Sequence, residues 1–174
     1  VRHYSHDPND PNSLANQGIW AIHEDHKGHL WFGTSRGLHR YVPEYDHFER
    51  YQKLDHDPAP FSGNNIIAIT SDQEGVLWLG TWSAGFNRFD PETGEGRHYL
   101  SDAKDSTKHI MSGIWAIHAD REGRIWVGTD DKGLIKREGE KITKYRADPD
   151  RPDSLQSDHI WALYGDTAGR LWIS

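Results

Sequence analysis

The sequence contains no cysteine, which excludes a disulfide framework, a thiolate nucleophile and a cysteine-ligated zinc site. No apolar run approaches the roughly 20 residues that a membrane-spanning helix needs. No signal peptide opens the chain either, but its first residues, VRHYSHDP, resemble the end of a repeat unit. We therefore interpret the chain as a segment of a longer protein, for which a missing targeting signal carries no information.

Basic clusters and helical periodicity are also missing. The net charge is −7 and lysine and arginine form no stripe, so nucleic acid is not an expected partner. No segment keeps an apolar residue at a 3.6-residue period for ten positions, so helices are not expected. Present instead are eight Trp, seven Tyr and five Phe, which supply large buried faces, and 17 Gly, which supply turns.

The aromatic residues belong to a repeat. The stretch IWAIHEDHKGHLWFGTSRGL, which begins at Ile19, returns in varied form at Ile66, Ile114 and Ile160, a spacing of 46 to 48 residues. A constant period of this size is typical of an array of small supersecondary units.

One copy predicts four strands, here called a, b, c and d. Strands a and b are short apolar runs joined by an Asp-x-x-Gly turn, in which Asp binds backbone amides and Gly takes the left-handed conformation. Strand c starts at a glycine after a short loop, and strand d alternates polar and apolar residues. The turn residues are Asp25 and Gly28, Asp72 and Gly75, Asp120 and Gly123, and Asp166 and Gly169.

A four-stranded antiparallel sheet with a buried inner half and a wetter outer strand is a propeller blade, so the predicted fold is an all-β propeller segment. One blade cannot bury its faces alone, which explains the repetition. We expect blades at 19–65, 66–113 and 114–159. Residues 1–18 would hold the last strand of a preceding blade and a linker, and 160–174 the first hairpin of the next. The strand-b tryptophans are interpreted as wedges between blades rather than ligand contacts: Trp31, Trp78, Trp126 and Trp172.

The combined string I-x-A-I-x-x-D-x-x-G-x-[LI]-W-[FLV]-G-T-x-x-x-G-[LF] resembles the two-component regulator propeller repeat. The segments Tyr4–Leu14 and Tyr145–Leu155 resemble the loop between blades in that family. The resemblance implies a seven-bladed ring in the periplasmic or extracytoplasmic sensor half of a bacterial signalling protein. Its output would be a histidine kinase or diguanylate cyclase, and its ligand an oligosaccharide or similar polar small molecule. The expected partners are then that ligand, the remaining blades and the downstream signalling domains; a homodimer stays open.

The second copy departs from the others. It has Ile67 where three copies have tryptophan, and an inserted residue gives the loop Thr81-Trp82-Ser83-Ala84. In a propeller the loops from b to c and from d to a open on one face, and function is expected where the copies disagree. An aromatic ring among polar groups suits a sugar, so the candidate ligand residues are Trp82, Arg36, Asn64, Asn65, Asp130, Asp131 and His159. The alternative is that Trp82 packs only on its own loop.

Other chemistry is not supported by the pattern. The run His23-Glu24-Asp25-His26 resembles a metal cluster, but successive strand residues point to opposite faces. The Asp-rich linkers, with Asp7, Asp10, Asp148 and Asp150, lack the central Gly and distal Glu of an EF-hand. Neither a cofactor nor a metal is therefore expected, and no catalytic motif stands out. A sensor is the preferred function; a propeller enzyme of the lyase or glycoside hydrolase type and a protein-docking scaffold are the alternatives.

Overall fold

The computed structural model describes residues 1–52, 60–99 and 113–174. In these residues the strands form three four-stranded antiparallel sheets and one two-stranded hairpin, and there is no helix. The all-β propeller prediction is confirmed.

The first sheet holds β1 (Ile19–Glu24), β2 (Leu30–Thr34), β3 (Gly37–Val42) and β4 (His47–Tyr51). The second holds β5 (Ile66–Ser71), β6 (Leu77–Thr81), β7 (Phe86–Phe89) and β8 (Gly96–Tyr99). The third holds β9 (Ile114–Ala119), β10 (Ile125–Thr129), β11 (Leu134–Glu138) and β12 (Lys141–Tyr145), and the hairpin is β13 (Leu163–Gly165) with β14 (Leu171–Ile173).

Each sheet is a meander whose strands pair in chain order, as expected for a, b, c and d of one blade. Strand a of each full sheet carries an irregularity where one residue is skipped in the pairing with strand b. The skipped residues are Trp20, Ile67 and Trp115. Such a bulge bends the strand and re-aims the side chain of the extra residue.

Residues 1–18 contain no strand, although the sequence predicted one there. A strand d is defined by hydrogen bonds to its neighbouring strand c, and no described strand pairs with this segment. Its Tyr4 ring nevertheless lies 5.6 Å from the ring of Tyr41. Tyr51 and Phe89 make the same kind of contact, at 5.3 Å, between the first and second sheets. The contact between Tyr4 and Tyr41 supports the assignment of residues 1–18 to a preceding blade, which stays a prediction. The blade boundaries also stay predictions.

Two apolar cores lie between successive sheets. Between the first and second, Trp31, Leu38 and Phe89 are fully buried; between the second and third, Trp78 packs with Ile117 and Ile135. Trp31 and Trp78 are thus the predicted wedges. Trp126 is half-buried, because the hairpin that faces it has only two strands. Trp172 is 55% exposed, because no described sheet packs over that hairpin.

The glycine of each W-x-G-T string lets neighbouring sheets approach. A Cβ on Gly80 would lie 2.6 Å from Cγ2 of Ile114, and one on Gly128 would lie 2.7 Å from Cγ2 of Ile160. Any side chain there would push the next strand a away. The Gly and the Ile of the repeat are therefore two halves of one contact between blades.

Candidate functional site

The Asp-x-x-Gly turns close one end of each sheet with a recurrent hydrogen-bond pattern. In the first turn one carboxylate oxygen of Asp25 accepts backbone N–H groups from Lys27 and His29, at 2.9 and 3.0 Å. The other oxygen accepts the indole N–H of Trp31 at 2.9 Å. The φ angles of the four turn glycines lie between 76° and 85°, the left-handed conformation that the sequence predicted. The same Asp–Trp bond recurs as Trp78 to Asp72 at 2.8 Å, Trp126 to Asp120 at 2.7 Å and Trp172 to Asp166 at 3.0 Å.

Sequence reasoning missed this Asp–Trp bond, although its signal is present as a constant spacing of six residues. At Asp25 burial alone would raise the pKa of the carboxyl, but the hydrogen bonds from Trp31 and the turn backbone outweigh it and lower the pKa. The carboxylate therefore stays ionised and locks the strand-b tryptophan to the turn. This end of the sheets is uniform among the copies, and its polar groups serve the fold.

The opposite end, where the b–c loops lie, is held by the Thr of each W-x-G-T string. The hydroxyl of Thr81 donates to the carbonyl of Gly85 at 2.7 Å and accepts the N–H of Ala84 at 3.0 Å. The loop is also bound to the start of its own strand a, since the N–H of Trp82 donates to the carbonyl of Asn65 at 3.1 Å. The b–c loops and the strand-a entrances therefore share one face, as predicted.

Three tryptophans form a row on this face, which we call the tryptophan row: Trp82, Trp115 and Trp161. The ring centroids of Trp82 and Trp115 are 4.9 Å apart with an interplanar angle of 79°, and those of Trp115 and Trp161 are 4.8 Å apart at 43°. Trp82 is 46% and Trp161 57% exposed. Of these three tryptophans, only Trp82 was predicted from the sequence as a ligand residue. The missed signal is the second position of strand a, which is Trp in three copies and lies at the bulge in the third sheet.

Three further predicted residues lie beside the tryptophan row. The indole N–H of Trp115 donates to Oδ1 of Asp130 at 3.2 Å, and Nδ1 of His159 lies 3.6 Å from the same oxygen. Asn65, whose carbonyl holds Trp82, has a buried side-chain oxygen without a hydrogen-bond donor. The structure thus brings together Trp82, Asn65, Asp130 and His159.

The other three predicted residues make contacts with residues outside the tryptophan row. Arg36 is exposed on the b–c loop of the first sheet, next to Gly37, whose N–H donates to the carbonyl of Asn64 at 2.7 Å. The carboxylate of Asp131 forms a 2.6 Å ion pair with Lys132. The backbone of Asn64 and the carboxylate of Asp131 therefore make contacts that hold the b–c loops.

A cavity of about 630 Å³ lies elsewhere, between the third sheet and the last hairpin. Trp126, Tyr145 and Leu171 are among its lining residues. The corresponding space beside Trp78 and Tyr99 is filled by Arg137 from strand c of the next sheet, whose guanidinium carbon lies 5.1 and 4.6 Å from their ring centroids. We interpret the cavity as blade-packing space, not as a ligand site.

The residues considered as metal ligands have other hydrogen-bond partners in the structure. Among the described residues no group of three or more His, Asp or Glu side chains is placed to hold a metal. Asp7 and Asp148 instead accept N–H groups from within their own linkers, at 2.9 and 3.1 Å. His23 forms a 2.9 Å hydrogen bond to Ser71 of the next sheet, which is a packing role. In the described parts of the chain no helix is long and apolar enough to cross a bilayer.

Comparison with solved structures finds similar folds in extracellular domains of bacterial one- and two-component systems and in a lyase. The chain is 23% identical to the extracellular domain assigned to a one-component system of B. thetaiotaomicron, with a TM-score of 0.78, covering 97% of this chain and 22% of that one. For an extracellular domain assigned to a hybrid two-component system of the same organism, the identity is 17%, the TM-score 0.54 and the coverage 98% and 27%. For a catalytically inactive virginiamycin B lyase from Staphylococcus aureus with quinupristin, the identity is 16% and the TM-score 0.65, and the match covers 92% of this chain and 50% of that one.

This chain thus spans about a quarter or less of the length of the two extracellular domains. No curated protein sequence matches it. The sequence profile described as two component regulator propeller matches residues 13–36, 60–83, 111–131 and 154–174, which together make up just over half of the chain. With three blade-like sheets and the Asp–Trp bond of each repeat on the same segments, the chain belongs to the two-component regulator propeller family.

Proposed function

We propose that this segment is part of the extracytoplasmic sensing propeller of a bacterial signal-transduction protein. It responds to an oligosaccharide or similar polar small molecule, and the output domain of the same protein carries the kinase or cyclase activity. Family membership and the likeness to extracellular domains of one- and two-component systems support this proposal. On this proposal the segment itself is not an enzyme.

The observation that carries the ligand class is the exposed ring of Trp82 beside hydrogen-bonding groups. A sugar offers apolar ring faces and hydroxyl edges, and indole rings beside a carboxylate meet both. Trp82 contacts Trp115, whose indole N–H is bound to Asp130, so a carboxylate lies next to the aromatic surface. The copies differ in charge and size on this face, which is what selective recognition needs.

The test is Trp82→Ala in the full-length protein, with binding to a panel of oligosaccharides followed by calorimetry. Loss of the ring should weaken binding by about 1–3 kcal/mol, by analogy with other stacking sites. The matched control is Glu74→Ala, an exposed residue in the Asp-x-x-Gly turn of the same sheet, which should bind like the unaltered protein. Unchanged affinity of a folded Trp82→Ala would remove Trp82 from the site, and an equal loss with Glu74→Ala would place the site at the wrong end.

One observation favours an enzyme as the second candidate. His159 and Asp130 lie 3.6 Å apart on the same face, and a histidine–carboxylate pair can act as a general base. Product analysis after incubation with each oligosaccharide separates the two functions, since a sensor returns its ligand unchanged. A docking scaffold would bind a protein and none of the sugars.

A further inference from the structure

The tryptophan row crosses three structural units. Trp82 belongs to the b–c loop of the second sheet, Trp115 to strand a of the third, and Trp161 precedes the last hairpin. The centroid spacings of 4.9 and 4.8 Å leave no gap between the rings. The row is therefore one continuous aromatic surface and not three separate side chains.

Blade packing does not require these indoles. The position held by Trp115 and Trp161 is Ile67 in the second sheet, where the side chain is only 7% exposed and the sheet has the same four-stranded topology. In the first sheet the equivalent Trp20 is 55% exposed. Trp82 and Trp161 stay largely in solvent on either side of Trp115, which is half-buried. Neighbouring apolar rings that remain exposed in this way are characteristic of binding surfaces.

Polar groups at the edge of the row restrict its ligand. Asp130 accepts the indole N–H of Trp115 and so fixes the orientation of the central ring. Its carboxylate also places negative charge beside the rings, which disfavours an anionic ligand. Asp131, the next residue, is already paired with Lys132.

We propose that Trp115 and Trp161 extend the Trp82 site into a platform for an elongated, uncharged ligand with at least two apolar ring faces. Trp115 is its central contact, and Asp130 is a positioning residue that acts through Trp115. This inference rests on the proposed sensing function and adds to it a length requirement. A ligand with one ring can stack on one indole, whereas a longer one contacts indoles from successive blades, so affinity rises with length.

The experiment uses the full-length protein and a panel of neutral cello-, xylo-, manno- and malto-oligosaccharides, each with its shorter members down to the monosaccharide. Calorimetry should show that the longest bound member binds at least tenfold more tightly than its monosaccharide. Trp115→Ala and Trp161→Ala should each weaken binding of that member at least tenfold and reduce the dependence on length. Trp20→Ala is the matched control, since it removes an equally exposed tryptophan at the same position of the first sheet, and its affinity should be unchanged.

Two measurements separate binding from folding. Circular dichroism and thermal unfolding show whether each variant is folded. If Trp115→Ala does not fold, Trp161→Ala still tests the row. Asp130→Asn keeps an oxygen that can accept the Trp115 N–H and should retain most of the affinity, whereas Asp130→Ala should lose it. A purely structural role for the row would move the unfolding temperature and leave the length dependence intact.

The outcomes distinguish this inference from the proposal on which it rests. If the unaltered protein binds a member of the panel and folded Trp115→Ala and Trp161→Ala bind it equally well, the platform is wrong and the sensing site lies elsewhere on the protein. Equal affinity for the monosaccharide and the longest member also overturns it. If the unaltered protein binds no member, the proposed oligosaccharide ligand fails, and the platform fails with it.

Discussion

At the scale of single residues, two polar side chains on strand c hold the connecting segments against their sheets. Nε2 of His39 accepts the N–H of Ala15 at 3.0 Å, and Oδ1 of Asn87 accepts the N–H of Ser62 at 2.8 Å. Both side chains are fully buried. A backbone N–H that is buried there needs a hydrogen-bond acceptor. The imidazole of His39 supplies it in the first sheet and the amide oxygen of Asn87 in the second.

The difference between the two side chains predicts a pH dependence. Burial, with a smaller contribution from the charge of Arg50, lowers the pKa of His39 from 6.5 to about 4. Between these pH values the unfolded chain binds a proton that the folded chain does not, so stability falls as the pH drops from 6.5 towards 4. The total loss from this group is up to about 3 kcal/mol.

His39→Asn should remove this loss, because Asn87 shows that an amide can accept the same bond. Denaturant unfolding of the propeller in the full-length protein, at pH 7 and pH 4.5, measures it. We expect the unaltered protein to lose about 2 kcal/mol more than the variant between the two conditions. Carboxyl groups titrate in both proteins and cancel in the comparison. Identical pH profiles would contradict a buried, neutral His39.

Sequence patterns predicted residues whose role repeats in every copy. Trp31 and Trp78 are wedges between sheets, and the turn glycines have the predicted backbone conformation. Trp115 and Trp161 were missed for the site because an apolar residue in strand a is expected in the core. The bulge that re-aims Trp115 depends on pairing between strands, which composition does not report.

At the scale of elements, the sheets share one topology but are joined by different side chains. Phe89, the fourth residue of β7, contacts Tyr51 of the first sheet at 5.3 Å. Arg137 has the same position in the third sheet, and its guanidinium carbon lies 4.6 Å from the ring centroid of Tyr99. An aromatic contact and a cation–π contact thus perform the same task at two successive junctions.

This equivalence predicts an asymmetric response to substitution. Arg137→Phe should leave the stability of the full-length protein within about 1 kcal/mol, because the ring replaces the guanidinium against Tyr99 and Trp78. Arg137→Ala should cost about 2 kcal/mol, since both ring faces lose their partner. Chemical denaturation followed by tryptophan fluorescence measures both values. Equal losses for the two variants would show that the junction needs the charge of Arg137, which also lies 3.6 Å from Glu140.

At the scale of the whole molecule, the described sheets form a row with an open face at each end. Ile22, 66% exposed on the first sheet, is equivalent to Ile117, which is 8% exposed in the core between the second and third sheets. The same isoleucine is buried where a second sheet packs against it and exposed where no described sheet does. This agrees with the prediction that one blade cannot bury its faces alone. Strand order and sheet number could be predicted because they repeat with the period. The tryptophan row could not, because it arises from contacts between successive units.

We propose that recognition occurs on the face of the b–c loops and strand-a entrances. Amide hydrogen exchange in the full-length protein, with and without the oligosaccharide that binds in calorimetry, tests this placement. We predict slower exchange at residues 82–84, 113–115, 130–132 and 159–161, and unchanged exchange at the Asp-x-x-Gly turns 72–75, 120–123 and 166–169. Protection confined to those turns, with the b–c loops unchanged, would contradict the account.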